Sequence, residues 1–80
     1  MPTVLCEAGY RFYFYSREND EPPHIHVELG DKLAKYWLDP VEVASSKRFR
    51  AHELGKVRNL VIQHRLIFLE AWHDHLEDWQ

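Results

Sequence analysis

Residues 21–38, EPPHIHVELGDKLAKYWL, decide the fold of this chain. Pro22 and Pro23 carry no backbone N–H and hold their neighbourhood extended, so a helix is excluded there. From His24 the chain alternates with period two: Ile25, Val27 and Leu29 point one way, and His24, His26 and Glu28 the other. Gly30-Asp31 suits a two-residue hairpin turn, because glycine accepts the positive φ such turns need. That loop sets Leu29 opposite Lys32, Val27 opposite Ala34 and Ile25 opposite Tyr36 on an apolar face. The other face pairs Glu28 with Leu33, His26 with Lys35 and His24 with Trp37. A slip of one residue would exchange the two faces, so the register is strongly specified.

Working outward, Tyr10 to Tyr15 (YRFYFY) alternates and is aromatic, which predicts a strand. Thr3 to Leu5 suggests a short edge strand, and Ser16 to Pro23 an exposed connecting loop. Asp39-Pro40 ends the hairpin, Val41 to Val43 forms at most one last short strand, and Ala44 to Phe49 is a connection. From Ala51 to about Glu77 there is no proline and only Gly55, so one long helix is expected, in preference to two broken near His64. Leu54, Val57, Val61, His64, Phe68, Ala71 or Trp72, and His75 follow steps of three and four and form its core-facing stripe. Ile62, Leu66 and Leu69 form a second apolar line, which one small sheet cannot also cover; a partner protein or a second copy is expected there. The expectation is a single α+β domain over residues 1–80, a small antiparallel β-meander of three to four strands packed on one long C-terminal α-helix.

Hydrophobic residues make up 45% of the 80-residue chain, too many for disorder, and no apolar run reaches the ~18 residues of a membrane helix. The start, MPTVLCEAGYRF, shows no leader pattern, and the lone Cys6 can form no internal disulfide, so a cytoplasmic protein is expected. The net charge of −3 is unevenly spread. Lys47, Arg48, Arg50, Lys56, Arg58 and Arg65 face one acidic residue, Glu53, in their segment, whereas Glu70, Asp74, Glu77 and Asp78 follow with no Lys or Arg. Cations at a helix N-terminus oppose its dipole, which points to an anion, nucleic-acid phosphate above all, as the ligand of Lys47, Arg48, Arg50, Lys56 and Arg58. An ordinary solvated face is the alternative. Arg50 also sits at the expected N-cap, where Ser, Thr, Asp or Asn is usual.

Three readings of His24 and His26 stand side by side. With Lys35 stabilising an oxyanion, they suit metal-independent acid–base chemistry on RNA, since histidine titrates near neutrality. Metal binding would need a third ligand, with Glu28 on the same face. Cross-strand packing against Trp37 and Lys35 is the third. Tyr13, Tyr15 and Trp37 could stack bases if exposed. His64, on the core stripe, is expected to be a hydrogen-bonded core histidine. No phosphate-binding glycine loop or paired-cysteine motif is visible, so no cofactor and no metal are expected.

The run FYFYSRENDEPPHIHVELGDKLAKYWL, followed by a helix containing HEL and ending near LEAWHDHL, resembles the bacterial family called domain of unknown function 4160. PPHIHV, with the following Gly and Ala-Lys, carries most of the resemblance, and His24 and His26 fall within it. The resemblance implies a small cytoplasmic protein often encoded beside a member of domain of unknown function 2442 (DUF2442). It implies the toxin of a type II toxin–antitoxin pair, with that neighbour as antitoxin. It implies no settled catalytic mechanism. Combined with the basic segment, it leads to an expectation of action on RNA or translation; a non-enzymatic nucleic-acid-binding or adaptor module is the alternative.

Overall fold

The computed structural model describes residues 3–15 and 20–78, with side chains to residue 74. Its elements are β1 (Thr3–Glu7), β2 (Tyr10–Tyr13), β3 (His24–Leu29), β4 (Lys32–Leu38), β5 (Val41–Lys47), α1 (Ala51–Gln63) and α2 (Arg65–Asp78). The strands form one antiparallel sheet in the order β1-β2-β3-β4-β5, each paired with the next. The β3–β4 register is the expected one at every pair, from His24 opposite Trp37 to Leu29 opposite Lys32. Gly30 supplies the positive φ of that turn, at 61°. Pro23 extends the ladder in the way its chemistry permits: lacking an N–H, it accepts from Leu38 N at 3.0 Å.

The sheet is larger than three to four strands. β1 runs two residues beyond Leu5 and turns into β2 through Ala8 and Gly9, at φ 53° and 85°. Asp39-Pro40, a cis peptide, does not end the sheet but lies in the two-residue turn between Leu38 and Val41. β5 then continues to Lys47, through a register shift beside Lys35 and Tyr36, where a connection was expected. Arg48, at φ 71°, redirects the chain toward α1.

The expected single helix is two. α1 ends at Gln63 and α2 begins at Arg65, although His64 N still donates to Leu60 O and Phe68 N to His64 O, both at 3.0 Å. The break is held from outside the helices. His64 Nε2 meets Glu7 Oε2 of β1 at 2.7 Å, and Arg65 donates to Leu38 O at 2.6 Å and faces Asp39 at 3.1 Å. No proline or glycine stands there, so tertiary bonds overrode the local helical preference.

Both helices cover one face of the sheet. Phe12, Phe14, Ile25, Val27, Tyr36 and Leu38 meet Val57, Val61, Phe68 and Trp72, all at 2% exposure or less. The helical stripe is the one read from sequence as far as Phe68, with Trp72 rather than Ala71 as its next fully buried member; the side chain of His75 lies outside those described. Tyr36 reaches across this layer and donates its O–H to Leu54 O at 2.6 Å. Burial pushes its phenol up to about 12 from the ordinary 10.0, opposed by the Arg58 charge and aided by Tyr10.

The unfolded chain therefore ionises Tyr36 near pH 10, while the folded protein holds that proton until about 12. Stability should fall across this window and level off above it. Tyr36→Phe should cost about 1–2 kcal/mol at pH 7 and remove about 1–3 kcal/mol of the alkaline decline, as read by urea denaturation at stepped pH.

Candidate functional site

The sheet face turned away from the helices is fixed by strand alternation. It carries Arg11 and Tyr13 from β2, His24, His26 and Glu28 from β3, Leu33, Lys35 and Trp37 from β4, and Ser45 and Lys47 from β5. With no second helical layer these side chains cover one another, except at the start of β3, where Trp72 of α2 closes over His24. Arg11 bonds Glu28 at 2.8 Å and lies 4.4 Å above the Tyr13 ring. The His26 ring stacks on Tyr13 at 5.5 Å, and Tyr15 meets it edge-on at 4.4 Å. Burial, followed by its contact with Tyr15, pushes the Tyr13 phenol well above the ordinary tyrosine range.

The structure brings His24, His26 and Lys35 onto one face but gives them different surroundings. His24 is 0% exposed, closed in by Trp72 of α2 at 4.7 Å and Trp37 at 5.8 Å. Its Nδ1–H donates to Pro22 O at 2.9 Å, which fixes the tautomer. Part of the polar face read from sequence is therefore interior. His26, 5.2 Å from His24, is 9% exposed. Lys35 bonds Glu21 and sits 4.7 Å over the Trp37 ring. Glu21 also lies 3.7 Å from His24 Nδ1, so the carboxylate that holds Lys35 stands beside the histidine at the start of the hairpin. Among the described residues, no three His, Cys, Asp or Glu side chains converge as metal ligands would.

A groove of about 270 Å³ opens on this face, lined by Tyr13, Tyr15, His26, Leu33, Ala34, Lys35, Ser45, Ser46 and Lys47. It combines aromatic rings, hydroxyls and two lysines. Tyr15, at 40% exposure, presents the most ring surface, while Tyr13 is buried. Lys47 is thus the member of the predicted basic segment that reaches the groove.

The other basic residues are divided. Arg48 bonds Asp31 at 2.8 Å, and with Lys32, Arg50, His52 and Glu53 this pair lines a second hollow of about 390 Å³. Arg50 is the N-cap of α1, as expected, but Glu53 replaces the missing cap side chain by accepting Arg50 N–H at 2.9 Å. Glu53 also bonds Lys32, and that bond, then the one from Arg50, holds its carboxyl below the usual range. The helix start therefore already holds a carboxylate, and the sequence picture of an unfilled anion site is corrected to that extent. Lys56 and Arg58 are exposed on α1.

Of the predicted partner face, Ile62 and Leu66 stand at 45% and 75% exposure, whereas Leu69 packs partly against the core. Ile67, at 52%, is exposed and was not singled out from sequence. Glu21 and Trp72 were missed as neighbours of the histidines. Strand alternation says which way His24 points, but nothing local says that α2 returns to cover it.

The family model described as domain of unknown function (DUF4160) matches residues 9–73. No curated protein matches the chain, and no solved structure does.

The burial of His24 sets an expected contrast in stability. His24→Ala should cost about 2–4 kcal/mol in chemical denaturation, because it opens a void under Trp72 and removes the donor to Pro22 O. Lys35→Ala, at the rim, should cost less than about 1 kcal/mol.

Proposed function

The chain belongs to the family described as domain of unknown function 4160, and from that membership and the sheet groove we propose that it is the toxin of a type II toxin–antitoxin pair, acting on RNA or translation. The groove carries this reading. Tyr15 and His26 offer faces and edges for an unstacked base, Lys35 and Lys47 offer charge for phosphate, and Ser45 and Ser46 offer hydroxyls. Arg48 and Arg50 follow Lys47 at the turn into α1, while Lys56 and Arg58 lie exposed on the helical layer and are not part of the groove. The protein acts in the cytoplasm, and its antitoxin, a protein of the DUF2442 type, blocks this surface; the pairing rests on family resemblance.

Recognition of RNA without cleavage, the work of a non-enzymatic binding module, is the second reading. The burial of His24 favours it. An acid–base pair needs both imidazoles within reach of substrate protons, and at 0% exposure His24 offers none. His26 and Lys35 then act as contacts to the bound strand.

Expression in a bacterial host should arrest growth, and co-expression of the adjacent gene should relieve the arrest. The purified protein should bind single-stranded RNA oligonucleotides, with affinity falling as salt rises. Lys47→Glu combined with Tyr15→Ala should weaken binding about tenfold or more and flatten the salt dependence, with an unchanged melting profile. Growth arrest that persists in this double variant would remove the groove from the mechanism. RNA left intact after arrest supports binding; defined cleavage products would restore a catalytic role to His26.

A further inference from the structure

The helical layer has an outer ridge that the fold leaves uncovered, and its sequence is complementary to itself. Arg58, Ile62, Leu66 and Glu70 follow one another at intervals of four along α1 and α2, and all four are exposed. The order is cation, apolar, apolar, anion, arranged evenly about the break at His64. Reversing the ridge and laying it on itself sets Arg58 opposite Glu70, and Ile62 opposite Leu66, twice over. Asp74, four residues beyond Glu70 and exposed, continues the anionic end.

We propose that this ridge is a homodimer interface, formed by two copies packed antiparallel about a two-fold axis near His64. Three observations on the chain choose a second copy as the occupant. Ridges of residues four apart are those that interdigitate in the commonest class of helix packing. A two-fold axis requires one patch to complement itself, and a cation and an anion equally spaced about an apolar centre do so without any other chain. The apolar centre is also large: Leu66, at 75%, heads the exposed large hydrophobic residues of the described chain. The arrangement turns the unfavourable sign of the helix charges into partner choice, since each end repels its own kind in a parallel pairing and attracts the opposite end in an antiparallel one. The ridge lies on the far side of the helices from the groove, so the dimer presents two grooves facing away from each other, and the inference does not depend on what the groove binds.

Analytical ultracentrifugation of the intact protein over a range of concentrations tests this. A single helix pair is a small interface, so the dissociation constant is expected at about 1–100 μM. Leu66→Glu should raise it at least about 30-fold. Arg58→Glu alone, or Glu70→Arg alone, should raise it roughly two- to thirtyfold, each change being made twice in the interface. The double variant Arg58→Glu with Glu70→Arg should recover the original value, because the reversed charges meet each other in the antiparallel pair. All four positions are exposed, and matching melting profiles will show that the fold is retained. A wild-type protein that stays monomeric to about 1 mM overturns the proposal, as does a dimer indifferent to Leu66→Glu. Recovery failing in the double charge reversal overturns the antiparallel register. Binding of the antitoxin through Leu66 by a protein monomeric on its own would assign the ridge to that partner instead.

Discussion

The pairing of β3 with β4 is the constraint on which the rest of the molecule depends. Setting Ile25 against Tyr36 and Val27 against Ala34 gives the sheet one continuous apolar face, and the helices have one place to go. The same register commits His24, His26 and Lys35 to the opposite face, which has no helical layer of its own and which α2 reaches only at His24, through Trp72. A one-sided sheet must make its own cover there. It does so with rings and long side chains: Tyr15 over His26, Arg11 over Tyr13, and Lys35 over Trp37. Candidate recognition groups are gathered by the same demand that keeps water off the strand backbones.

Polar side-chain contacts join parts of the chain that are far apart in sequence: a hydrogen bond between Glu7 and His64, and ion pairs of Glu21 with Lys35, Lys32 with Glu53, and Asp39 with Arg65. Each is partly exposed and individually weak. Their placement matters more than their strength, because they pin the edge strand, the start of the hairpin and both helix starts to the sheet. Glu53 resolves the sequence puzzle of cations gathered at a helix N-terminus. It caps the backbone, satisfies the dipole and draws Lys32 in from β4.

How much of this was legible followed from how local its cause was. Gly30-Asp31 and strict alternation fixed six ladder pairs without reference to anything distant. The core stripe of the helices was equally plain as far as Phe68, since Val57, Val61 and Phe68 announce themselves by spacing, whereas spacing alone left Ala71 and Trp72 as alternatives. The extent of β5 beyond Val43 was hidden because residues 44–47, ASSK, lie exposed at the sheet edge and show no apolar alternation. The helix break was hidden because Glu7 and Leu38, which hold His64 and Arg65, lie in strands. For the site, the side of the sheet was predictable and the exposure was not: His24 is buried by a tryptophan from the last helix.

The order of the strands also governs how the chain can assemble. Every strand pairs with its successor, and the widest separation in the ladders, between Arg11 and Glu28, is 17 residues. Loops this short cost little entropy to close, so the hairpins can form one after another as the chain leaves the ribosome, on the fast side for a sheet protein. The helices come last in the chain and carry the whole opposing half of the core. Until α1 and α2 are made, Phe12, Ile25 and Tyr36 stand open to water beside two free sheet edges. The nascent chain therefore passes through an adhesive interval, ended by the arrival of Val57, Phe68 and Trp72.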